Sequence, residues 1–269
     1  MNGQQLISAL RSGQTVYGTL IVSPSPFWPA RVRQLGLDLV FIDTEHIPLD
    51  RSSVAWMCQA YSTLDLAPIV RIPSPDPFQA QMMLDAGAAG IIAPYIETRQ
   101  QALALAGTVK FGPLKGERLR SILAGETQAE PVLGDYLGQR AAQRVLILNI
   151  ESVPAMEALD DILSVPYVDS ILIGPHDLSC SLGIPEQYDH PDFDAAVRRI
   201  LQTARAHGVG AGIHIDSIDQ EIGWSQIGAN LIMHSSDIVS FLNRLTEDFS
   251  RIRTGLQDAR SADVTRVNI

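Results

Sequence analysis

Residues 145–179, VLILNIESVPAMEALDDILSVPYVDSILIGPHDLS, constrain the fold more than any other stretch, because they spell a strand, a helix and a second strand with a carboxylate just past each strand. Residues 145–150 form an apolar, β-branched run with a single amide, the pattern of a strand buried on both faces. Ser152 is a ready N-cap and Pro154 suits a first helical turn. Met156, Leu159, Ile162 and Leu163 then recur at the helical period. Residues 168–173 read as the second strand. Such a crossover joins parallel strands with a right-handed turn, so both carboxyl ends lie on one edge of the sheet. Glu151 and Asp177 are therefore expected on one rim.

Two carboxylates on one rim repel unless a cation or a proton lies between them, and a divalent metal is the economical occupant. The plainer alternative is that Glu151 complements the dipole of the following helix and Asp177 caps a turn. Gly174, directly after its strand, lets backbone N–H groups approach a ligand closely.

The rest of the chain repeats the unit. Strands are expected over 16–22, 37–42, 66–70 and 90–93 before this stretch and over 209–213 and 231–233 after it, with helical patterns following them. Eight strands in this alternation are what a closed (β/α)8 TIM barrel requires, and 269 residues suit one such domain spanning 1–269. An open doubly wound sheet is the alternative, but no GxGxxG follows an early strand. Residues 109–120, VKFGPLKGERLR, interrupt the rhythm and read as an irregular, basic loop insertion before strand five. The tail over 249–269 carries Arg251, Arg253, Arg260 and Arg266 and is expected at a subunit interface.

Twenty basic against thirty acidic residues, a formal charge of -10, argue against a general nucleic-acid binder. The two cysteines, Cys58 and Cys180, form no CxxC pair and fit a reducing, cytoplasmic setting. No apolar run approaches the length of a membrane span.

In a barrel, every polar group just past a strand converges on one mouth: Asp43, Glu45, His46, Arg71, Glu151, Asp177 and, more loosely, His214 and His234. Histidine is the side chain whose unperturbed pKa lies near neutrality, so His46 can act as a base, with Asp43 in the same loop fixing its tautomer; the alternative is that the two merely cap the loop. Arg71 can hold a carboxylate bidentately or face a developing oxyanion, or it can pair with a rim acid such as Glu45. The lysines, Lys110 and Lys115, stand in the irregular segment and away from strand ends, which argues against a Schiff-base enzyme.

VFIDTEHIPLD, APIVRIP, ILNIESVPAMEALDDIL and SILIGPHDLSCSLG resemble, in order and spacing, the HpcH/HpaI family of metal-dependent class II pyruvate aldolases, itself similar to citrate lyase β-type lyases. The resemblance covers roughly residues 17–233. It implies a TIM barrel in which Glu151 and Asp177 ligate Mg2+ or Mn2+, with other divalent ions such as Co2+ as substitutes. It implies His46 as acid/base, Asp43 as its partner, Arg71 at the keto oxygen, and Gly174 and Pro175 in the cradle of the substrate carboxylate. The implied substrates are a pyruvate-like 2-oxo acid and an aldehyde, joined or released as a 4-hydroxy-2-oxo acid, and the implied assembly is a homohexamer built as a trimer of dimers. Two departures stand out. Asn149 replaces the family's glutamine two residues before the metal-binding glutamate, in a substrate-binding position. Leu119 follows Arg118 where the family has glycine, which puts the distal-substrate pocket in question. The rival readings are a coenzyme A thioester lyase of citrate lyase β type and a non-catalytic barrel that binds 2-oxo acids.

Overall fold

The computed structural model describes residues 1–258 and 260. Eight parallel strands, β1 (Val16–Leu20), β2 (Leu39–Asp43), β3 (Ala67–Arg71), β4 (Gly90–Ala93), β5 (Val145–Ile150), β6 (Ser170–Ile173), β7 (Gly210–Ile215) and β8 (Leu231–Ser236), pair in chain order, and β8 returns to β1 to close the barrel. The helices are α1 (Gly3–Ser12), α2 (Trp28–Val32), α3 (Arg51–Ser62), α4 (Pro77–Asp85), α5 (Arg99–Phe111), α6 (Gly116–Leu123), α7 (Pro131–Ala141), α8 (Val153–Glu157), α9 (Leu159–Leu163), α10 (Pro175–Ser181), α11 (Pro191–Ala206), α12 (Ile218–Ser225) and α13 (Asp237–Leu256). This is the (β/α)8 TIM barrel expected from the strand count.

Alternation along the strands divides the core in two. Leu39, Phe41, Ala67, Ile69, Val145 and Ile147 point inward and join Leu6 and Leu10 of α1, which plugs the amino-terminal end of the barrel. Val40, Ile42, Val70, Leu146, Leu148 and Ile171 point outward into the layer between sheet and helices. Each fully buried aliphatic side chain contributes about 1.5–3 kcal/mol of transfer free energy.

The segment over 109–120 departs from the irregular loop expected for it. Residues 109–111 complete the last turn of α5, and 116–120 begin α6, leaving only 112–115 outside a helix. Glycines at 112 and 116 masked the helical character. Leu119 lies within α6, and a Cβ on Gly107 of α5 would lie 3.4 Å from its side chain, so the leucine packs helix against helix. Lys110 is 2 % exposed and hydrogen-bonds Asp169, just before β6, together with the carbonyls of Ala141 and Arg144, just before β5. This places the segment at the amino-terminal ends of the strands, away from the mouth whose distal pocket it was expected to affect. Of the tail, α13 extends through Leu256, while Arg266 lies outside the described residues.

Candidate active site

Asp43 and Arg71 are register partners on β2 and β3, and this neighbourhood sets the first half of the site. The fully buried Asp43 carboxylate accepts from Arg71 Nε at 2.8 Å and Arg71 Nη2 at 2.9 Å, and from the backbone N–H groups of Glu45 at 3.0 Å and His46 at 3.3 Å. Burial alone would raise the Asp43 pKa; the Arg71 charge and these hydrogen bonds overcome it and hold the carboxyl below its ordinary value. The expected hold of Asp43 on the His46 ring is therefore replaced by a bidentate clamp on Arg71. The His46 ring stands half-exposed instead, with Nε2 3.7 Å from Glu45 Oε2. Arg71 Nε also lies 3.1 Å from Glu45 Oε2, so one guanidinium neutralises two acids, and its charge centre lies 5.3 Å from the centre of the Phe41 ring.

Glu151 supplies the second half from one residue past β5. It is 4 % exposed, accepts from the Tyr95 backbone N–H at 2.7 Å through Oε1, and from Asn149 Nδ2 at 3.0 Å through Oε2. Across the β5–β6 register its neighbour is Gly174, where a Cβ would fall 2.4 Å from Glu151 Oε2. Glycine is required there to admit the carboxylate. Pro175 opens α10, which carries Asp177 in its first turn, partly exposed. Burial, then the negative charges of Asp177 and Glu45, push the Glu151 pKa up against the two hydrogen bonds it accepts. Glu45 is shifted up as well, by burial first, with Asp43 and Asp177 adding and Arg71 opposing.

Glu45, Glu151 and Asp177 thus form an acidic cluster with more negative charge than Arg71 can offset. Among the described residues no three His, Cys, Asp or Glu side chains form a ready-made metal cage. A pair of carboxylates is nonetheless the donor set that hard, well-hydrated cations such as Mg2+ accept, the remaining positions going to water and substrate. Asn149, whose Nδ2 donates to Glu151, keeps its buried Oδ1 without a partner, a polar atom beside the cluster still to be satisfied. The residues fit a divalent cation.

Sequence reasoning missed Tyr95. It sits at φ 53, a left-handed conformation uncommon for a non-glycine residue, and this turn aims its N–H at Glu151, with the ring close to Glu45. The only signal was a proline and an aromatic residue directly after the very short β4. Of the looser candidates, His214 faces the mouth, whereas His234 turns outward to Glu221, with Nδ1 2.9 Å from Oε2.

The model of the family described as HpcH/HpaI aldolase/citrate lyase matches residues 22–243. A hydroxypyruvate/pyruvate aldolase of Roseobacter denitrificans is 31% identical over 87% of this chain and 91% of its own length. A 2-keto-3-deoxy-L-rhamnonate aldolase of Shigella sonnei is 27% identical over 93% and 94%. The crystal structure of an HpcH/HpaI aldolase/citrate lyase family protein from Burkholderia cenocepacia superposes with a TM-score of 0.80, at 27% identity, covering 93% of this chain and 99% of that one.

Proposed function

The chain belongs to the HpcH/HpaI aldolase/citrate lyase family, and we propose that it is a divalent-cation-dependent aldolase that cleaves and forms 4-hydroxy-2-oxo acids by way of a pyruvate-type enolate. The observation that carries this reading is the convergence of Glu151 and Asp177, an acid pair in need of a counter-charge, with a guanidinium already oriented beside them. Glu151 and Asp177 would hold Mg2+ or Mn2+, which when bound supplies Lewis-acid polarisation of a 2-oxo carbonyl.

The remaining work falls to the chain itself. Arg71, locked by Asp43, offers its outward N–H groups to the C2 oxygen as negative charge develops there. His46, at the open edge of the mouth, takes the C4 hydroxyl proton in the cleavage direction. The C3–C4 bond then breaks, the aldehyde departs, and the C3 carbon is protonated to yield the 2-oxo acid. Gly174, whose missing side chain admits the Glu151 carboxylate, would with Pro175 border the place of the substrate carboxylate.

Assembly belongs to the same proposal. Ile238, Phe241, Leu242, Leu245, Phe249, Ile252 and Leu256 of α13 are all exposed and recur every three or four residues, a stripe suited to a second subunit. Among the described residues no helix is long and apolar enough to cross a membrane.

Exchange of the pyruvate C3 protons in deuterated water, followed by NMR with Mg2+ or Mn2+ and then with EDTA, tests the reading. Cation-dependent exchange is expected, with aldol products appearing when a panel of aldehydes is added. Turnover confined to hydroxyacyl-CoA thioesters would favour the thioester-lyase alternative, and binding without exchange would favour a non-catalytic barrel.

A further inference from the structure

The two oxygens of Glu151 are held by different means. Asn149 Nδ2 reaches Oε2 at 3.0 Å from a side chain on β5, whereas Oε1 accepts at 2.7 Å from the main-chain N–H of Tyr95, in the loop after β4. β4 and β5 are neighbours in the barrel, with Ala93 opposite Leu148, so this loop runs beside Glu151. A main-chain donor is aimed by backbone dihedrals alone, and Tyr95 has φ 53. A non-glycine residue keeps such a conformation only where its surroundings enforce it. Whatever holds the Tyr95 turn therefore governs where the Glu151 carboxylate points.

Gln101, in the first turn of α5, holds it. Its Oε1 accepts from the backbone N–H groups of Glu97 and Thr98 and from the Thr98 hydroxyl, each at 3.0 Å. With Oε1 committed to these donors, Nε2 donates to the Tyr95 carbonyl oxygen at 3.3 Å. The Oε1 contacts belong to a capping box, completed by the Gln101 N–H donating to Thr98 Oγ1 at 3.3 Å, and would serve any helix start. The bond to Tyr95 serves none, because it reaches past the N-cap Thr98 into the loop. The same turn is anchored by the fully buried Ile96, and Glu97 accepts from the hydroxyl of Ser152, the residue after Glu151.

We infer that Gln101 is a positioning residue for the cation site: by holding the Tyr95 carbonyl it keeps the Tyr95 N–H on Glu151 Oε1, and so sets the orientation in which the Glu151 carboxylate meets a divalent ion. The inference rests on the reading of Glu151 as a cation ligand. It also separates glutamine from glutamate at this position. A helix start is served equally well by either, since both supply the acceptor of a capping box and a carboxylate also suits the helix dipole. Only glutamine has an N–H for the Tyr95 carbonyl; glutamate would set a second oxygen against it.

The test compares wild type, Gln101→Glu and Thr98→Ala in the full chain, with Mn2+ affinity read by calorimetric titration and thermal midpoints read in EDTA. Gln101→Glu should melt with the wild type, its cap intact, yet bind Mn2+ at least about threefold more weakly, less than the loss for a residue that directly supports a metal ligand because Gln101 acts one bond further out. The sign is diagnostic, since the added negative charge would by itself draw the cation in. The Mn2+ concentration giving half-maximal pyruvate C3 exchange should rise by the same factor. Thr98→Ala, which weakens the cap and leaves the Tyr95 bond in place, should lower the midpoint without changing Mn2+ affinity. A Gln101→Glu protein that binds Mn2+ as tightly as wild type or tighter overturns the positioning role and leaves the cation site standing. Equal losses of affinity in both variants overturn it as well, because Gln101 would then act through helix stability alone. A wild type that binds no Mn2+ overturns the cation reading, and this inference with it.

Discussion

Arg71 grips Asp43 through two parallel hydrogen bonds, Nε to Oδ1 at 2.8 Å and Nη2 to Oδ2 at 2.9 Å, between residues directly opposite in the β2–β3 register. The pair fixes the guanidinium plane. Asp43→Asn keeps the volume of the side chain but breaks the fork and removes the charge. We expect kcat/KM to fall by about 100-fold, the scale of a misplaced catalytic group, with the loss visible in steady-state kinetics of aldol cleavage. Because the Asp43 pKa is depressed on folding, its stabilisation is complete above the ordinary carboxyl value and is lost as pH falls through the lower, folded value. In acid titrations followed by circular dichroism, Asp43→Asn should therefore be less stable than wild type near neutrality, with the gap closing as the acid limb is reached.

Lys110 is the buried lysine of the chain and lies at the wrong end of the barrel for chemistry, 2.6 Å from Asp169 Oδ2 near the strand starts. Its role is to neutralise Asp169, which also accepts from the Leu146 backbone N–H at 2.9 Å and pairs with Arg11 at 3.2 Å. Lys110→Met should destabilise the fold by about 3 kcal/mol, since one partner of a buried pair is removed, and leave KM for the 2-oxo acid unchanged. Denaturant melts and kinetics check the two halves. Treatment with pyruvate and borohydride should add no mass to Lys110 or to the exposed Lys115, and a trapped adduct at either would refute metal-type enolisation.

The barrel was legible because eight buried parallel strands leave period-two and near-continuous apolar runs that few other folds produce, and β4 and β5 begin and end where those runs do. The rim was legible for the same reason: polar residues directly after such strands have one place to go. Partner choice was not. Asp43 and His46 are three residues apart, yet the cross-strand register delivers Arg71 to Asp43 first, a long-range fact with no local signature. Tyr95 escaped notice because its contribution is a backbone N–H set by an uncommon φ, which side-chain chemistry does not reveal. The helical character of α6 was hidden by flanking glycines.

That stripe yields a prediction about assembly. α13 runs 20 residues, none of them buried, while Phe241, Leu245, Phe249 and Ile252 align on one face. Leaving them in water is unfavourable by roughly 1.5–3 kcal/mol per fully buried large side chain, enough in sum to drive association. Light scattering with metal present should report an oligomer for the wild type. The double substitution Leu245→Glu and Phe249→Glu should lower the mass toward that of one chain, with little change in the circular dichroism of the barrel. A wild type that is monomeric would remove the assembly proposal.

Glu151 offers the sharpest test of the cation, because its charge affects the protein in opposite directions with and without metal. Without metal, the buried carboxylate faces Asp177 and Glu45, and its pKa is pushed up by burial and by both neighbours. Glu151→Gln removes that repulsion while keeping the size of the side chain and an oxygen to accept from Tyr95 or Asn149. At neutral pH in EDTA the variant should therefore melt no lower than wild type. Adding Mn2+ in excess should raise the wild-type midpoint, since a ligand bound only by the folded state stabilises it by mass action, and should leave the variant nearly unmoved. Calorimetric titration should show the loss of most divalent affinity, and pyruvate C3 exchange should fall at least about tenfold, the usual scale for losing a ligand or its support. Equal Mn2+ affinities for the two proteins would remove Glu151 from the site and the Glu151/Asp177 pair with it.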